Sequence, residues 1–305
     1  MPAPTTPLAD ALAEGPVVLD GGLSNQLADQ GCDLSDELWS ARLLLDAPEQ
    51  IEAAHAAYAR AGARVLITSS YQATYEGFTR RGLPRAKAAE LLRRSVALAR
   101  RAADVAPGGV WVAASVGPYG AMLADGSEYR GRYGLTVAEL ERFHRPRIEA
   151  LAEASPDVLA LETVPDTDEA EALLRAVAGS GLPVWLSYSI DGGTTRAGQP
   201  LEAAFALAAD VPEVIAVGVN CCTADDVGPA VELAYKTTGK PVVVYPNSGE
   251  SWEATDRAWR GGATFDPSAV GGWQAAGARL IGGCCRVGPG RIAELAALLG
   301  RKRGV

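Results

Sequence analysis

The chain has 305 residues, 48% of them apolar and 21% charged, with a formal net charge of −9. That length suits a single α/β barrel, and the composition is that of a globular chain with a sizeable core, not a disordered one. The acidic balance excludes the basic face that nucleic acid or an anionic membrane needs, and no apolar run approaches the ~18–20 residues that span a bilayer.

Met1 to Glu14 has neither a basic n-region nor an apolar h-region, which predicts no secretory signal and a cytoplasmic protein. Short apolar runs then recur, each ending in a polar or glycine-containing turn. Val17–Leu19 leads into Asp20-Gly21-Gly22, and Arg64–Thr68 into Ser69-Ser70-Tyr71. Val110–Val116 leads into Gly117-Pro118, and Val158–Leu161 into Glu162-Thr163. Pro183–Ile190 leads into Asp191-Gly192-Gly193, and Val214–Val219 into Asn220-Cys221-Cys222. Val242–Tyr245 leads into Pro246-Asn247-Ser248-Gly249, and Arg279–Ile281 into Gly282-Gly283-Cys284-Cys285. Runs this short and this continuously apolar are strands of a parallel sheet covered on both faces.

Helical spacing fills the intervals: Pro48–Ala61, Ala86–Val105, Val137–Ala154, Asp168–Ala178, Leu201–Ala209, Ala224–Thr237 and Pro289–Leu299. His55 and His144 fall inside these patterns and read as ordinary helix residues. Eight strand–helix units predict one (β/α)8 barrel domain over residues 1–305, in preference to an open doubly wound sheet. The longer connection from Gly249 to Gly261, with Trp252 and Trp259, reads as a functional loop over the barrel mouth.

The strand ends carry the chemistry. Asp20, Thr68, Glu162, Cys221 and Cys284-Cys285 end separate strands, and parallel barrels bring those ends to one face. Five cysteines in two adjacent pairs plus the solitary Cys32 make a poor disulfide framework and suggest metal or catalysis. Three thiolates around zinc would leave one tetrahedral position open, the mark of a catalytic site. Adjacent side chains at a strand end point opposite ways. Spacing therefore leaves Cys221 and Cys222 as alternatives, and raises the same objection to Cys284 with Cys285 unless Gly282-Gly283 permits an irregular turn.

Leu19-Asp20-Gly21-Gly22, Ile67-Thr68-Ser69-Ser70-Tyr71-Gln72, Leu161-Glu162-Thr163, Gly218-Val219-Asn220-Cys221 and Gly282-Gly283-Cys284-Cys285 together resemble the homocysteine S-methyltransferase family. The resemblance spans nearly the whole chain and implies a (β/α)8 barrel with Zn2+ held by Cys221, Cys284 and Cys285. It further implies that Asp20, Gly21, Thr68, Glu162 and Asn220 bind the amino-acid acceptor. A barrel-mouth carboxylate suits the homocysteine ammonium, and a hydroxyl with backbone N–H groups suits its carboxylate. Tyr245-Pro246-Asn247-Ser248-Gly249-Glu250 also looks like family sequence, with Tyr245 and Ser248 as candidates for the methyl-donor side. The expected reaction moves a methyl group from a sulfonium donor, S-methylmethionine first and S-adenosylmethionine next, to homocysteine, giving methionine. The alternatives are a betaine-type or other thiol methyltransferase on the same barrel, or a non-catalytic zinc or redox thiol protein. A chain of 305 residues leaves no room for folate and cobalamin domains.

Overall fold

The computed structural model describes residues 4–34, 40–253 and 258–300. Eight parallel strands make one sheet: β1 (Val17–Val18), β2 (Val65–Ile67), β3 (Trp111–Val116), β4 (Val158–Val164), β5 (Val184–Tyr188), β6 (Val214–Asn220), β7 (Val242–Tyr245) and β8 (Ala278–Ile281). Each lies beside its sequence neighbour, and β1 pairs with β8. The remaining edges meet: Leu19 bridges Val65, the Arg64 N–H donates to the Val18 carbonyl at 2.8 Å, and the Asp20 N–H to that of Val65 at 3.1 Å. The sheet is therefore a closed barrel, and the doubly wound alternative, whose strand order reverses at a switch point, does not apply.

Strand alternation divides the core into two shells. Val65, Trp111, Ala113, Val158, Ala160, Trp185, Ala216, Val243 and Leu280 fill the barrel interior. Their neighbours Leu66, Val112, Ala114, Leu159, Leu161, Leu186, Val217 and Val244 pack against the helices outside. The same parity carries Ser115, Glu162, Ser187, Asn220 and Tyr245 inward at the C-terminal ends. The interior thus has an apolar middle and a polar top layer.

The outer helices follow the sequence pattern: Pro48–Arg60, Arg85–Val105, Val137–Ala152, Thr167–Val177, Leu201–Ala206, Ala224–Thr238 and Pro289–Leu299. Short helices within the loops, such as Leu23–Asp29, Tyr75–Arg80 and Tyr119–Leu123, are additional. So is the N-terminal helix Leu8–Glu14, too short to announce itself by periodicity. It closes the bottom of the barrel. Leu8 and Leu12, one helical turn apart, pack into the interior cluster, and Trp111 Nε1 donates to the Thr6 carbonyl at 3.0 Å. After β7, Ser251–Glu253 pairs antiparallel with Ala258–Arg260. Residues 254–257 and the side chains of Trp252 and Trp259 lie outside the described residues, and the expected cover over the mouth lies there with them. Among the described residues, no helix is long and apolar enough to cross a membrane.

The plug at the barrel floor is testable. Leu12 is buried, so Leu12→Ala should lower unfolding free energy by about 2–5 kcal/mol in urea melts. A loss under about 1 kcal/mol would show that the helix is not part of the core.

Candidate active site

Three thiols meet at the C-terminal mouth. The sulfurs of Cys221, Cys284 and Cys285 all lie within 4.8 Å of one another, and among the described residues no further His, Cys, Asp or Glu joins them. Cys221 follows β6 directly. Alternation places Asn220 inward and would send Cys221 outward and Cys222 inward. Cys221 instead takes a left-handed backbone conformation, φ 49°, with its N–H on the Tyr245 carbonyl at 3.2 Å. That reversal turns Cys221 toward the mouth and Cys222 into the outer core.

Cys284 and Cys285 both reach the cluster, although they are adjacent. Neither Gly282 nor Gly283 has a positive φ; what they supply is room. A Cβ on Gly282 would sit 2.5 Å from the Leu19 Cβ and 2.6 Å from the Asp20 carbonyl, and one on Gly283 would sit 2.1 Å from Val287 Cγ1. The chain then bonds to both neighbouring strand ends. Gly283 N–H donates to the Asp20 carbonyl at 3.1 Å, Cys284 N–H to that of Pro246 at 2.8 Å, and Cys285 N–H to Asn247 Oδ1 at 3.1 Å. Arg286, at φ 66°, turns the chain away. Hydrogen bonding from Cys221 and then Cys284 pulls the Cys285 thiol well below its ordinary pKa, whereas Cys284 is raised by its bonds to Cys221 and Cys285. The cluster's geometry fits a tetrahedral thiophilic metal, for which sulfurs about 2.3 Å from the ion lie roughly 3.8 Å apart.

Below the sulfurs lies the polar layer. Glu162 is held by Ser115 Oγ on one oxygen and by the Tyr245 hydroxyl on the other, at 3.0 Å. Tyr245 in turn accepts from Trp185 Nε1 at 3.2 Å and lies 2.8 Å from Ser187 Oγ. Ser187 donates to Asn220 Oδ1 at 2.8 Å. Asn220 brackets Thr163, accepting from its N–H at 2.8 Å and donating to its hydroxyl at 2.7 Å, which fixes Thr163 in the left-handed region, φ 58°. Burial pushes Glu162 up to about 7, partly opposed by its bond from Ser115. Asp20 is raised well above the carboxylate range, first by burial and further by the Glu162 charge. Its Oδ2 accepts from the Ile67 N–H at 2.9 Å, while Oδ1 is buried without a partner.

Thr68 lies beside this layer. Its hydroxyl oxygen accepts from the Ser115 N–H at 3.0 Å and is 2.7 Å from Ser70 Oγ, which donates to the Ser115 carbonyl at 2.8 Å. Ser70 has one proton, so Thr68 is the donor within that pair. Gly21 has no room for a side chain, since a Cβ would lie 2.1 Å from the Val287 carbonyl. The structure seats Tyr245 in the network under Glu162. Ser248 lies three residues on, in the loop after β7, donating to Glu250 at 2.7 Å, and Glu250 pairs with Arg286 at 2.8 Å. Neither histidine joins the sulfurs. His144 is buried between Glu169 and Arg147, at 2.8 and 2.6 Å, and burial holds His55 down to about 4.

Four site residues escaped the sequence reading. Ser115 and Ser187 are polar positions inside continuous apolar strands, a signal that strand parity would have exposed. Glu128 and Tyr129 sit in a short 3-10 turn after β3, Ser127–Tyr129, whose sequence has no periodicity to mark it. The Tyr129 hydroxyl is raised well above its usual pKa, first by Cys221 and then by burial and Cys285.

The homocysteine S-methyltransferase family model matches residues 17–299. The chain is 45% identical over 296 residues to a homocysteine S-methyltransferase of Escherichia coli (strain K12), covering 92% of this chain and 94% of that protein. It is 42% identical over 300 residues to the homocysteine S-methyltransferase YbgG of Bacillus subtilis (strain 168), covering 92% and 93%. The crystal structure of the metallated form of the homocysteine methyltransferase MmuM from Escherichia coli superposes with a TM-score of 0.87 at 43% identity, covering 96% of this chain and 100% of that one.

The cluster should bind one thiophilic metal per chain, assayed as zinc. Cys221→Ser, Cys284→Ser and Cys285→Ser should each lose it, while Cys222→Ser keeps it. Full metal content in any of the first three would remove that residue from the ligand set.

Proposed function

The chain belongs to the homocysteine S-methyltransferase family, and on that premise we propose that it methylates the sulfur of homocysteine from a sulfonium donor, with zinc held by Cys221, Cys284 and Cys285. The observation that carries this reading is the trio of converging thiols, with no fourth ligand among the described residues, above a layer of buried carboxylates. When bound, zinc supplies the Lewis acidity that keeps a substrate thiol ionised near neutral pH.

The residues of this chain divide the remaining work. Glu162 and Asp20 receive the homocysteine ammonium. Both are raised by burial without a cation beside them, and an arriving ammonium lowers both. Tyr245 and Ser115 aim Glu162 and keep it from rotating. The Gly21 N–H, which makes no hydrogen bond among the described residues, and the Thr68 hydroxyl, once turned from Ser70, suit the substrate carboxylate. Asn220 acts as a positioning residue, through Thr163 and Ser187. Ser248 and Glu250 brace the loop behind Cys285, whose carbonyl accepts from the Ser248 N–H at 2.9 Å.

The acceptor thiol gives up its proton to solvent as it binds. Its sulfur then attacks the methyl carbon in line, and the donor C–S bond breaks with its electron pair retained by the leaving sulfur. A sulfonium leaves as a neutral thioether, so no proton has to be moved in the transfer itself. S-methylmethionine is the donor we favour, with S-adenosylmethionine next, and a cytoplasmic setting suits a site whose cysteines must stay reduced.

Zinc-loaded protein should form methionine from homocysteine and S-methylmethionine without folate or cobalamin, and metal-stripped protein should not. Assays with S-methylmethionine, S-adenosylmethionine and glycine betaine in turn decide the donor; no methionine from any of them, with zinc verified, would refute the assignment.

Glu162→Gln should retain zinc and weaken homocysteine by about 2–5 kcal/mol. Because Glu162 must be ionised to hold an ammonium, kcat/KM for homocysteine should rise with pH through about 7, a limb that Glu162→Gln lacks. An unchanged profile in the variant would place Glu162 outside the acceptor site.

A further inference from the structure

The mouth holds a third buried carboxylate, which the acceptor does not require. Glu128 is 5% exposed, and its Oε2 is buried with no hydrogen-bond partner. Its turn is fixed rigidly. A Cβ on Gly120 would lie 2.4 Å from the Glu128 N, and the Ser127 N–H donates to Asp125 Oδ1 at 2.9 Å. Burial first, and then the charges of Cys221 and Asp125, push Glu128 up to about 7. The Ser127–Tyr129 turn that carries Glu128 follows β3 at the C-terminal mouth and packs against β4, the strand that carries Glu162. Burial first, then the charges of Glu128 and Cys221, raise the Tyr71 hydroxyl, and Tyr129, the next residue of the turn, is 40% exposed.

A buried carboxylate with no cation beside it penalises the folded state unless a ligand brings the cation. Homocysteine offers one ammonium, already matched by Asp20 and Glu162. The proposed second substrate is an onium compound, and its positive centre must lie next to the acceptor sulfur for in-line transfer. Resting on the methyltransferase reading above, we propose that Glu128 is the donor-binding carboxylate: it neutralises and orients the cationic methyl donor on the β3–β4 side of the three sulfurs. Once the methyl group has moved, a sulfonium donor has lost its positive centre, so the attraction that held the donor weakens in the product.

Calorimetry of zinc-loaded protein with S-methylmethionine and with S-adenosylmethionine, without homocysteine, tests this directly, and steady-state kinetics supplies a second readout. Glu128→Gln should weaken whichever donor the wild type binds by about 10-fold or more and raise its KM similarly, with Glu128→Asp recovering part of the loss. The homocysteine KM and zinc content should stay within about 2-fold, and Tm at pH 8 should not fall, because an uncompensated buried charge has been removed. Unchanged donor affinity would overturn the proposal, as would an equal rise in the homocysteine KM, a lost zinc or a lowered Tm; so would the absence of donor binding to the wild type. Failure of the wild type to make methionine would count against the methyltransferase reading alone, since donor affinity is read without turnover.

Discussion

The site depends on how closely the backbone after β8 can approach the ends of β1 and β7. Gly282 and Gly283 lie against Leu19, Asp20 and Val287, where any side chain would clash. The contact is secured by hydrogen bonds to the carbonyls of Val244, Asp20 and Pro246, at 3.0, 3.1 and 2.8 Å. Only this seating allows two adjacent cysteines to face one point. The same contact fixes Asp20, so the position of the thiols and the position of a carboxylate have one cause. Moving the Gly282–Cys285 segment would disturb both.

The second constraint is charge. Asp20, Glu128 and Glu162 are buried at the mouth that holds the three thiols, and each carboxyl is raised chiefly by burial. Such a site is electrostatically incomplete. In the proposed function it takes cations of three kinds: a metal at the sulfurs, an ammonium at Asp20 and Glu162, and an onium centre at Glu128. Local strain accompanies it. Thr163, Cys221 and Arg286 adopt left-handed backbone conformations, at about 1–2 kcal/mol each, and the reciprocal bonds from Asn220 to Thr163 show how one of them is held.

Much of this was legible in the sequence, for identifiable reasons. Strands buried on both faces are continuous apolar runs, so all eight barrel strands could be read, along with seven outer helices. The helix Leu8–Glu14 was missed because seven residues show too little periodicity, although Leu8 and Leu12 share its buried face. The choice between Cys221 and Cys222 could not be made from spacing, because alternation favours Cys222 and a single left-handed residue reverses the outcome. Gly282-Gly283 was read as a source of backbone freedom, whereas both glycines serve close approach. Tyr245 was expected on the donor side by resemblance; its parity with Val243 points it into the barrel, under Glu162. Glu128 carries no sequence signal at all. It becomes visible only when a turn folded against Gly120 leaves one carboxylate oxygen buried without a hydrogen-bond partner.

The central claim is that three protein thiols hold the metal and leave one position for the substrate sulfur. X-ray absorption at the zinc edge, on the loaded protein before and after adding homocysteine, tests it most directly. Three sulfur neighbours in the free protein and four in the complex are the expected result. Four sulfur neighbours without homocysteine, or a count that homocysteine leaves unchanged, would contradict it.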